Sequence, residues 1–127
     1  MKQNAILVVT SLLSILLLTL HVTDDIVRGI SNAEPSNIAL IVLTVFLYGT
    51  LVLTERRSGY LIILLGSLLG LAVPVLHMMG KGVGGEFAKS SGAFFFIWTI
   101  IALGVTALFS VMLSVRGLWS LRRTIAD

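Results

Sequence analysis

Nine Lys or Arg and six Asp or Glu occur in these 127 residues, and every one lies outside four long apolar stretches. The stretches are residues 4–22, 38–54, 60–79 and 92–115. A helix rises about 1.5 Å per residue, so roughly 20 residues cross the hydrocarbon core of a bilayer. A charge near the bilayer centre costs several kcal/mol, which confines charged residues to connections. The pattern predicts an all-α, four-helix transmembrane bundle running up-down-up-down, and it leaves few residues for anything else. One integral membrane domain over residues 1–127 is expected. The chain is 12% charged, against about 25% in soluble domains, and its mean hydropathy is +1.05. A soluble fold burying four such runs would lack polar surface.

Cysteine is absent. Disulfides, thiol catalysis, and Cys-ligated zinc or iron–sulfur centres are thereby excluded. The beginning of the chain has the outline of a signal peptide. Its apolar run exceeds the usual length of about 7–15 residues, however, and no Ala-x-Ala-like site closes it. A retained first span is expected.

The connections divide into two sets. Lys2, Glu55, Arg56, Arg57, Arg116, Arg122, Arg123 and Asp127 share one side. Asp24, Asp25, Arg28, Glu34, Lys81, Glu86 and Lys89 share the other. Lys and Arg are twice as frequent on the first side, so both termini are expected to face the cytoplasm, in the cell (inner) membrane. The high isoelectric point then reflects a cytoplasmic rim, and no basic stripe interleaved with stacking aromatics points to nucleic acid. Tyr60, Trp119, and the cluster Phe94, Phe95, Phe96 and Trp98 fall near span ends, as headgroup-level aromatics do. The tail from Arg116 to Arg123 reads as a cationic stop anchor, with a frayed extension of the last span or a short interfacial helix on anionic lipid as the alternatives.

Residues 55–59 make a short turn that pairs the second and third spans as neighbours. Pro35 can open a helix, because its missing N–H would have no partner there anyway. Gly80, Gly82, Gly84 and Gly85 predict a mobile connection over residues 80–91. Each span also carries a weakly polar or small stripe, and such stripes pack against other helices in lipid. They are Thr10, Ser14, Leu17, His21, Asp25 and Arg28; Asn37, Thr44 and Tyr48; Gly66, Gly70, Pro74 and His77; and Thr99, Thr106, Ser110 and Ser114. Gly66 and Gly70 form a GxxxG segment, expected to pack within the chain. Pro74 removes a backbone donor and is expected to bend the third span.

One cluster carries chemistry. If the first helix continues past the membrane boundary, His21, Asp24, Asp25 and Arg28 share a face at i, i+3, i+4 and i+7. His77 ends the third span at the same depth, with Lys81 and Glu86 beyond it. Three readings follow. The residues are simply the wet ends of helices, with Arg28 paired to Asp24 or Asp25. Alternatively His21, Asp24, Asp25, His77 and Glu86 hold a divalent metal. Or His21 and His77 supply the axial ligands of haem b, with Arg28 and Lys81 meeting its propionates. In any site reading the two imidazoles face inward and converge.

Enzyme signatures such as GxSxG, HExxH and a phosphate-binding glycine loop are missing. No carboxylate sits within a span, where ion-coupled transport would need one. The expected function is a non-enzymatic accessory or structural membrane subunit. Its partners would be the lipid bilayer and other membrane helices, in a homo-oligomer or a larger complex. A haem- or metal-binding redox or sensory subunit is the alternative.

Overall fold

The computed structural model describes residues 2–29, 34, 37–79 and 92–126. Four helices make up the fold: α1 (Lys2–Val27), α2 (Ile38–Val52), α3 (Arg57–Met79) and α4 (Ala93–Ala126). Among the described residues there is no strand. Pro35 and the glycine-rich connection over residues 80–91 lie outside them.

Three helices hold segments long and apolar enough to cross a membrane: Asn4–Val27, Arg57–His77 and Ala93–Arg123. The fourth, α2, is equally apolar but has only 15 residues. Its length is roughly 22 Å, against a hydrocarbon core of about 30 Å. It ends two residues before the limit the apolar run suggests, because Leu53 leaves helical geometry. The chain then turns, with Arg56 N donating to Leu53 O at 2.9 Å.

Local chemistry explains the other boundaries. α1 continues through Asp24 and Asp25 and stops at Gly29, whose φ of +74° suits a residue without Cβ. Gly29 N donates to Ile26 O there at 3.0 Å. The Asn37 side chain caps α2, accepting from Ala39 N at 2.9 Å. α4 runs unbroken for 34 residues. The tail is therefore a helical extension of the last span, and the Arg123 guanidinium lies 5.3 Å from the centre of the Trp119 ring.

Packing joins α1 to α2, α2 to α3, α3 to α4, and α4 back to α1, closing a ring. α1 and α3 touch slightly across the middle, whereas α2 and α4 do not touch among the described residues. The interior is built from Leu7, Phe46, Ile63, Leu103 and Ala107 together with Ser11, Ser14, Thr50, Ser67, Ser110 and Ser114. Large apolar side chains point outward from every helix, among them Leu16, Ile41, Leu65 and Phe109. Small hydroxyls inside and bulky hydrocarbon outside reverse the soluble arrangement and suit a lipid solvent. One hydroxyl pair bridges helices: Ser14 Oγ lies 3.0 Å from Thr106 Oγ1.

The two glycines of the GxxxG segment serve different neighbours of the same chain. A Cβ on Gly66 would come within 2.6 Å of Phe46 Cγ, and one on Gly70 would meet Leu103 and Ala107 at 3.3 Å. Gly66 thus makes room for α2, and Gly70 for α4. This packing corrects two of the three residues expected on the inward stripe of α2; Asn37 is buried. Thr44 and Tyr48 are exposed, and the buried face is Leu43, Phe46, Gly49 and Thr50. Phe46 has a glycine-lined slot on α3, while the Thr44 hydroxyl is satisfied locally by Leu40 O at 2.8 Å.

Tyr60 stands near the start of α3, with its side chain turned into the bundle. It is buried, its OH donates to Asn4 Oδ1 at 2.9 Å, and Gly117 leaves space for its ring. Asn4 Nδ2 in turn reaches Glu55 Oε1 at 3.4 Å. A polar clasp therefore ties the start of α1 to the start of α3 and the turn before it.

Candidate functional site

At the other end of α1, the helix spacing places His21, Asp24, Asp25 and Arg28 together as expected. Asp24 Oδ2 accepts from Arg28 Nε at 2.8 Å. Asp25 Oδ2 lies 3.5 Å from His21 Nε2. The two neighbouring carboxylates thus have different roles. Asp24 is neutralised by a guanidinium, and Asp25 faces an imidazole.

His21 is buried, at 6% exposure, and its ring meets that of His77 edge-to-face with centroids 4.9 Å apart. The contact crosses the diagonal between α1 and α3. His77 Nδ1 lies 2.8 Å from Val73 O. A carbonyl only accepts, so Nδ1 carries a proton and donates. His21 Nδ1 is buried and has no hydrogen-bond partner among the described residues. A buried polar atom without a partner costs about 1–3 kcal/mol, which makes it the most informative atom of this cluster.

Phe96 of α4 covers both rings, at 5.9 Å from His21 and 5.3 Å from His77. The Arg28 guanidinium stands 5.9 Å from the centre of the same Phe96 ring. Sequence reasoning grouped Phe96 with its exposed neighbours Phe94 and Phe95. The signal that separates it is its place three residues before Thr99 on the stripe that continues through Leu103, Ala107, Ser110 and Ser114. Those residues are all buried, as Phe96 is.

Of the five residues considered for a metal, the four described ones are not gathered into one shell. His21, His77 and Asp25 are adjacent, Asp24 is turned to Arg28, and Glu86 lies outside the described residues. Among the described residues no three of His, Asp and Glu form a metal-holding group. Haem ligation by two imidazoles requires a porphyrin between them, and these two rings are in contact. Arg28, considered for a propionate, is engaged by Asp24 and Phe96. Lys81 lies outside the described residues.

On the side of α2, an apolar groove of about 340 Å³ runs between α1, α2 and α3. Leu18, Val22, Leu43, Leu69 and Leu76 line it, with His21 and Asp25 as its ionisable members. The arrangement can hold an apolar body while presenting an imidazole and a carboxylate to a polar head. No family model matches this chain, and neither a curated protein nor a solved structure is significantly similar to it.

Proposed function

We propose that this chain is a small integral membrane protein of one domain, acting as a non-enzymatic accessory or structural subunit. Its four helices cross the cell's inner membrane up-down-up-down, with both termini in the cytoplasm. Its partners are lipid and other membrane helices, in a homo-oligomer or a larger complex. The observation that carries this reading is the surface: large Leu, Ile, Val and Phe side chains are exposed on all four helices, while Ser11, Ser14, Thr50, Ser67, Ser110 and Ser114 are buried. The orientation rests on the twofold excess of Lys and Arg on the side of the termini. Reporter fusions after Ser58 and at Asp127 test it. A reporter active only in the cytoplasm should be active at both positions. Activity at either site of a reporter that works only outside the cytoplasm would overturn the orientation.

A second reading is a metal-binding sensory or redox subunit, favoured by one observation: the unpartnered Nδ1 of buried His21 beside His77. Imidazole nitrogens suit zinc, copper, iron and nickel ions. Haem b is the weaker variant, because the two rings would have to separate to admit it. Elemental analysis and a visible spectrum of the purified protein decide between the readings. The accessory role predicts a colourless, metal-free sample. Stoichiometric metal or a Soret band would replace it with the second reading.

A further inference from the structure

We propose that the groove between α1, α2 and α3 binds an organic ammonium group carried on an apolar body. The inference rests on the membrane placement proposed above, since such a ligand would enter from the bilayer. The groove's volume of about 340 Å³ lies within the range of small-molecule sites, about 300–1,000 Å³. Its walls are hydrocarbon, supplied by Leu18, Ala39, Val73 and Leu76, and its polar groups are His21 and Asp25.

Charge selects the head group. Asp24 is answered by Arg28 at 2.8 Å, and that guanidinium leans on Phe96 of α4. Among the described residues Asp25 has only the His21 imidazole, at 3.5 Å, and no Lys or Arg forms a salt bridge with it. A carboxylate beside an apolar groove repels an anionic head and gives a neutral one no more than a hydrogen bond. An ammonium receives both a charge-assisted hydrogen bond and the Coulomb attraction. The His21 ring, which lines the groove beside Asp25, supplies the second contact. Two sources carry this chemistry: the ethanolamine headgroup of a phospholipid, and a free lipophilic amine.

Native mass spectrometry of the protein in a neutral maltoside detergent tests the assignment, with decylammonium, decanol and decanoate as probes. One decylammonium per chain is expected, with a Kd about tenfold below that of decanol, the difference a charged hydrogen bond of roughly 1.4 kcal/mol makes. Decanoate should not bind. Asp25→Asn should bring decylammonium to the level of decanol, and Ala39→Phe, which fills the groove from α2, should remove both. Glu55→Gln, at the far end of α1, should change neither. Circular dichroism reports whether each variant is folded, and Ala72→Phe replaces Ala39→Phe if that chain fails. Equal uptake of all three probes, no uptake by the folded wild type, or an intact preference in Asp25→Asn would each overturn the proposal. Displacement of decylammonium by phosphatidylethanolamine but not phosphatidylglycerol assigns the headgroup as the source; displacement by neither assigns a free amine. A chain that stays folded and dispersed without detergent would instead refute the membrane placement, whatever the groove binds.

Discussion

Replacing Gly59 with Ala should destabilise the protein by about 3 kcal/mol, at the upper end of what overpacking costs. A Cβ at this position would collide with the Leu53 carbonyl and stand 3.0 Å from Thr54 N. These are backbone atoms of the turn between α2 and α3, so no rotamer change relieves the contact. The turn itself would have to open. It also sets Glu55 near Asn4, and Tyr60, which bonds Asn4, is the next residue along. The effect should therefore spread to the clasp at the start of α1. Unfolding of Gly59→Ala and wild type in the same neutral detergent checks this. A difference below about 0.5 kcal/mol, the scale of ordinary surface changes, would show that the turn is looser than described.

His21→Ala should cost about 2–4 kcal/mol, because it removes a buried ring and leaves a cavity against His77 and Phe96. His21→Phe separates volume from chemistry. It keeps a ring of similar shape in edge-to-face contact and deletes the unpartnered Nδ1, so its cost should stay within about 1 kcal/mol. Arg57→Ala, at an exposed position, serves as the reference, expected within about 0.5 kcal/mol of wild type. If His21→Phe is as damaging as His21→Ala, the imidazole is held by polar contacts that the fold requires. If it is stable yet loses ligand or metal, the histidine is retained for binding.

Much of this architecture can be read from the chain because lipid imposes a simple rule on where charge goes. The four apolar runs became four helices, and the i, i+3, i+4, i+7 spacing after His21 placed Asp24, Asp25 and Arg28 on one face. The meeting of His21 and His77 followed from stripes of small residues that define inward faces on α1 and α3. Where the rule fails, the cause is equally physical. Threonine in a membrane helix can satisfy its hydroxyl on its own backbone, as Thr44 does on Leu40, so its presence does not mark an inward face. Tyrosine at a helix end can face outward or turn inward to a partner, and Tyr60 found Asn4, 56 residues away in the chain. Leu53 ended α2 without a proline or glycine to announce it. Phe96 could be separated from Phe94 and Phe95 only by tracing the α4 stripe backwards. The groove beside Asp25 was not legible at all, since a cavity arises from how three helices diverge.

The shortness of α2 has a consequence for the company this protein keeps. The other three helices present apolar segments of 24, 21 and 31 residues, while α2 offers 15. Spanning with all four helices therefore gives the molecule one thin side, where acyl chains must compress or headgroups must sink to meet the helix ends. Such mismatch costs fractions of a kcal/mol per Å, enough to sort proteins between membranes of different thickness. The groove opens beside α2, so the same local thinning would draw phospholipid headgroups towards Asp25 and His21. The protein should accumulate, and pack best, in the thinner regions of a mixed bilayer.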